Sequence, residues 1–140
     1  MKELMHQSLA TDDPAFQPAR GDCRPGTAAD ARDFARGFAD LLHPAPAART
    51  TQNLLLLVSE LVTNALRHAG AVTALRLSAD HDSIQVRVED PSPARPEGRS
   101  PDLTGRGGGF GWPMVCTLAR EVTVRPRPGG GKIVQAALAR

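Results

Sequence analysis

The stretch Val72–Asp90, VTALRLSADHDSIQVRVED, decides the fold. Its second half alternates Ile84, Val86 and Val88 with Gln85, Arg87 and Glu89, the period-two pattern of a strand with one face on a core and the other toward water. The first half, Val72–Ala79, reads as a partner strand, and the polar Asp80-His81-Asp82 between them reads as a turn. Strands joined so briefly pair antiparallel, because a parallel neighbour needs a crossover of about a dozen residues or more.

Upstream of this hairpin lies an amphipathic helix, Thr51–Ala69, closed by Gly70. Leu54, Leu57, Val58, Leu61, Val62, Ala65 and Ala69 fill one broad apolar arc. Asn53, Glu60, Asn64 and Arg67 fall within a ~60° sector on the other side, by the helix period. Further back, Thr27 is the N-cap of a helix running to about Leu42, with Ala31, Phe34, Ala35, Phe38, Leu41 and Leu42 at helical spacing. His43-Pro44-Ala45-Pro46 stops it. Phe16–Cys23 can form a strand weakened by Pro18, and residues 1–14 read as a polar tail or short edge strand.

Downstream, Pro91–Gly111 is rich in Pro, Gly, Ser and Arg and reads as a long loop, a kind that inside compact domains tends to be functional. A short helix follows over Trp112–Arg120, with Pro113 in its first turn. Glu121–Arg125 and Lys132–Leu138 form a last hairpin across Pro126–Gly131. This order predicts an α+β fold: a two-layer α/β sandwich with a mainly antiparallel mixed sheet and helices packed on one face. Residues 15–140 are expected to form one domain.

Composition narrows the function. Of the 140 residues 41% are hydrophobic and 23% charged, as in a globular core. Aromatics are only 4%, with no Tyr, which argues against base stacking as the main mode of binding. A net charge of +2 is small for direct nucleic-acid binding. Cys23 and Cys116 make neither metal-ligand spacing nor a disulfide framework and are expected to be small buried thiols. The longest aliphatic run, Leu54–Val58, is far short of a membrane span, and a cytoplasmic protein is expected.

Three groups carry chemistry. Glu60 and Asn64 stand one turn apart on the same helix face. A carboxamide oxygen suits Mg²⁺, which takes its remaining ligands from water and phosphates, and a neighbouring carboxylate can accept a proton from an attacking hydroxyl. Asp90 shares the parity of Ile84, Val86 and Val88, so its carboxylate points coreward and needs a donor. That donor can be the amino group of adenine. Alternatively, the strand has ended and Asp90 caps the Pro91-Ser92-Pro93 turn; parity alone weighs the two equally. Gly105, Gly107, Gly108, Gly109 and Gly111 precede a helix and can aim backbone N–H groups at phosphates, or else form a plain linker. Gly131-Lys132 is not a P-loop, lacking the upstream Gly and the following Ser/Thr, and no strand-borne G-x-G-x-x-G exists.

Together these pieces resemble the ATPase domain shared by DNA gyrase, the large heat-shock chaperone and histidine kinases, a Bergerat-type ATP-binding fold. Within it they look most like the small bacterial anti-sigma-factor serine/threonine kinases, over about Phe16 to Ala139. SELVTNALRHAG (Ser59–Gly70) is similar to the first motif, VEDPSP (Val88–Pro93) to the second, GGGFGWPMV (Gly107–Val115) to the third and GGGKIVQAAL (Gly129–Leu138) to the terminal strand. The resemblance implies Glu60 as catalytic base, Asn64 as the Mg²⁺ ligand and Asp90 as the reader of adenine. It also implies that Ser92, Gly107, Gly109, Phe110 and Gly111 line the ATP site. Three departures stand out. Ser92 replaces a usual Gly, Lys132 and Ile133 occupy the region where a Thr is common, and Phe110 and Trp112 make the glycine-rich loop bulky. The function implied is a Mg·ATP-dependent kinase that regulates transcription by partner switching, binding a sigma factor or phosphorylating a small antagonist protein, with a homodimer as the related assembly. The alternative is a non-catalytic ATP-binding module that binds a protein partner. A third, an interaction domain without nucleotide, predicts no heat on titration with Mg·ATP.

Overall fold

The computed structural model describes residues 19–94 and 111–140. The elements run β1 (Ala19–Cys23), α1 (Ala28–Asp40), α2 (Ala48–Ala69), β2 (Ala74–Ala79), β3 (Ser83–Asp90), α3 (Gly111–Leu118), β4 (Glu121–Pro126) and β5 (Lys132–Ala139). The five strands lie in the order β1-β2-β3-β5-β4, and all four pairings are antiparallel. The α+β architecture read from the sequence is therefore the one observed. The hairpin at its centre has Val88 opposite Leu75 and Ile84 opposite Ala79. Asp80 holds its turn, its Oδ1 accepting from the backbone N–H groups of Asp82 and Ser83, both at 2.9 Å.

One face of the sheet meets the helices. Leu75, Leu77, Ile84, Val86, Val88, Val134, Ala136 and Leu138 are buried against Leu54, Leu57, Val58, Leu61, Val62 and Ala65 of α2 and Ala31, Ala35, Phe38 and Ala39 of α1. Burying a Leu or Val side chain contributes about 1.5–3 kcal/mol each, so this layer is the main source of stability. The other face is polar. Arg20, Asp22, Arg76, Gln85, Arg87 and Gln135 line a shallow groove there of about 410 Å³.

The helix ends follow local chemistry. Thr27 caps α1, its side chain accepting from Asp30 N–H at 3.0 Å. Gly70 ends α2 at φ 79°, a left-handed conformation that suits glycine. The start of α2 departs from expectation: Ala48, Arg49 and Thr50 are already helical after the extended Ala47, because nothing among them interrupts a helix once Pro46 is passed. Leu41, assigned to the apolar stripe of α1, is 75% exposed, since it lies past the last helical turn and the periodicity no longer orients it. The cysteines also differ from expectation, Cys23 being half-buried and Cys116 exposed. Burial pushes the Cys23 thiol up, with the charges of Asp22 and Asp30 adding to the effect. No helix among the described residues is long and apolar enough to cross a membrane.

Candidate functional site

The C-terminal half of α2 and the end of β3 come together through chain connection. Only a few residues separate Gly70 from β2, whose first residue, Ala74, pairs with Glu89. Thr73 donates from both its backbone N–H (2.8 Å) and its hydroxyl (3.0 Å) to the Glu89 carbonyl. The end of β3 is thus fastened beside the chain that has just left the Glu60–Asn64 helix, and α2 packs on β3.

Glu60 and Asn64 are half-buried on α2, on the flank of the apolar arc. Ser59 accepts a 3.0 Å hydrogen bond from Arg32 Nη1, tying this turn of α2 to α1. The Glu60 carboxylate lies against Gly111, the first residue of α3, where a Cβ would overlap Oε1. A side chain at Gly111 would push the end of the Glu60 side chain aside, and this close approach joins the first sequence motif to the end of the third. The first N–H groups of any helix lack intrahelical acceptors and carry partial positive charge; Pro113 in the first turn of α3 supplies none, and the helix start at Gly111 lies beside Glu60.

Asp90 is 1% exposed and faces inward, as parity predicts. The strand runs through Asp90, and its Oδ1 accepts from the Ser92 N–H at 2.9 Å, so the carboxylate points to the core and also caps the following turn. Ser92 in turn accepts at its Oγ from Ala94 N–H at 3.2 Å.

The partner inside is one that sequence reasoning missed. Lys132, the first residue of β5, pairs directly across from Asp90 and is 3% exposed. Its Nζ lies 3.1 Å from Asp90 Oδ1, 3.0 Å from Oδ2 and 3.4 Å from the Ser92 carbonyl oxygen. The signal was present, because Lys132 shares the strand parity of the inward Val134, Ala136 and Leu138 and so demanded a buried acceptor. Gly131 makes the approach possible: its φ is 90°, and a Cβ there would overlap the Asp90 carbonyl oxygen.

Gly107, Gly109 and Phe110, with the rest of the glycine-rich segment before Gly111, lie outside the described residues. Among the described residues no group of three or more His, Cys, Asp or Glu could hold a metal. The remaining donor set suits a magnesium-bound purine triphosphate: a coreward carboxylate at one strand end, a helix-borne carboxamide for a metal that keeps most of its water and phosphate ligands, and a glycine-tight helix start. The groove of about 410 Å³ belongs to the opposite face of the sheet and is not part of this arrangement.

The model of the histidine kinase-like ATPase domain family matches residues 23–137, which span all of these positions. Among curated proteins no match to the sequence is found.

Proposed function

We propose that this chain, which belongs to the histidine kinase-like ATPase domain family and binds ATP, is a protein serine/threonine kinase that regulates a protein partner in transcription. The proposal carries the activity on one domain, residues 15–140. Its substrate is a small antagonist protein of a sigma factor, or the sigma factor is itself the partner bound. The observation that carries it is the Glu60 carboxylate held against the first residue of α3, a proton acceptor placed at a helix start suited to phosphate.

Bound Mg·ATP supplies the transferable phosphoryl group and the cation that offsets its charge. Within the site Glu60 takes the proton from the Ser or Thr hydroxyl of the acceptor chain. Asn64 offers its side-chain oxygen to the metal. Asp90 accepts from the base edge, Ser92 shapes the turn below it, and Gly107, Gly109, Phe110 and Gly111 enclose the phosphates.

The test is Glu60→Gln incubated with labelled ATP and a candidate antagonist. Loss of transfer with ATP affinity kept within about threefold is expected, because a neutral isostere removes the base and little else. Unchanged transfer would remove Glu60 from this role. If the wild-type protein binds ATP yet labels no acceptor, the non-catalytic binding module is the correct reading.

A further inference from the structure

A purine site that reads an amino group with a lone buried carboxylate is selective because the wrong base leaves that carboxylate unpaired. Sites of that kind reject the analogue lacking the group by about 10⁴–10⁵-fold. Asp90 is not in that situation. Its two oxygens already receive the Lys132 ammonium, at 3.1 and 3.0 Å, and Oδ1 also receives the Ser92 N–H at 2.9 Å. A base without an amino group at position 6 therefore orphans nothing.

The ammonium adds a second effect. Ammonium carries three donors, and in Lys132 the longest of its three contacts is the one to the Ser92 carbonyl oxygen at 3.4 Å. A carbonyl oxygen on the base can take over that donor with little loss. A carboxylate has about four lone-pair sites, so Oδ2 keeps room for an incoming amino hydrogen. The pair thus offers an acceptor and a donor side by side, with both side chains almost wholly excluded from water, at 1% and 3% exposure.

We propose that Lys132 sets the base selectivity of this site, and that the Asp90–Lys132 pair accepts purine triphosphates with either an amino or a carbonyl group at position 6. This rests on the nucleotide reading above, with Asp90 at the base edge.

The experiment is calorimetric titration of the full chain with Mg·ATP, Mg·GTP and the magnesium complex of purine riboside triphosphate, which carries neither group at position 6. Dissociation constants within about tenfold of one another are expected. A preference for ATP beyond tenfold overturns the inference while leaving ATP binding intact. Lys132→Met keeps most of the side-chain bulk and removes the donor; the ATP-to-GTP preference is expected to rise at least about a hundredfold. A ratio equal to wild type in that variant also overturns the role of Lys132. The wild-type comparison decides the matter by itself where Lys132→Met does not fold. Absence of binding by all three triphosphates would overturn the nucleotide reading together with this inference.

Discussion

Glu89 and Asp90 are consecutive carboxylates at the end of one strand, yet they face two different solvents. Asp90 points into the layer between sheet and helices, where a single lysine and one backbone N–H satisfy it. Glu89 points to the open sheet face, where Arg76, Arg87 and Arg127 crowd it at 3.1, 3.4 and 3.6 Å. Those arginines are 35–50% exposed, whereas the Lys132 side chain is 4% exposed. Arg87 Nε pairs with Glu89 by charge without forming a hydrogen bond. Both carboxylates are buried, Glu89 at 7% and Asp90 at 1% exposure, but the cation on Asp90 is buried with it while the arginines on Glu89 reach into water. The number of ion pairs does not rank them; desolvation does.

The largest effect should come from breaking the inner pair. Lys132→Met leaves Asp90 buried without its cation and should lower the unfolding free energy by about 3–5 kcal/mol, measured by urea denaturation. Replacing both residues, with Asp90→Leu added, should recover most of that loss, since a well-packed apolar pair is often as stable as a buried ionic one. A loss in the single variant below about 1 kcal/mol would mean that the pair behaves like a surface contact.

Glu89→Gln should cost less, about 1 kcal/mol, because its arginines can rehydrate. The sharper test is salt. Raising ionic strength to 1 M should shrink the Glu89→Gln difference and leave the Lys132→Met difference nearly unchanged, since screening reaches exposed charges and spares buried ones.

The smallest effect belongs to a third carboxylate, at the other end of the same hairpin. Backbone hydrogen bonds from Asp82 and Ser83 hold the Asp80 carboxyl below its usual value. A depressed folded-state value contributes stability above the unfolded pKa of about 3.9, lost as pH falls through the folded value. Asp80→Ala should therefore cost less than about 1 kcal/mol at pH 7, exposed as the group is, and the variant should converge with wild type as the pH falls through the lowered folded-state value. A difference that stays constant from pH 7 through acid unfolding would assign the effect to the turn backbone rather than to the charge.

Much of the architecture was legible because it rests on short-range pattern. The alternation at Ile84, Val86 and Val88, the Thr27 cap and the glycine stop at Gly70 are each local, and each appears where the chain chemistry requires it. The direction of Asp90 was legible for the same reason, as strand parity. Element ends were less so: Leu41 and the start of α2 depend on where a helix stops being periodic, which no repeat records.

By itself, then, the sequence determined the elements, their faces and the coreward course of one carboxylate, because hydrogen-bonded backbone imposes periods of two and 3.6 residues. Which residue meets that carboxylate was decided by tertiary structure alone. Register between β3 and β5 places Lys132 opposite Asp90, and the close approach of Gly131 to the Asp90 backbone makes that register fit. The meeting of Glu60 with Gly111 is of the same kind. Pairings between residues far apart in the chain arise only when the sheet and helices close on one another; local spacing tells which way Lys132 and Asp90 point, not that they meet.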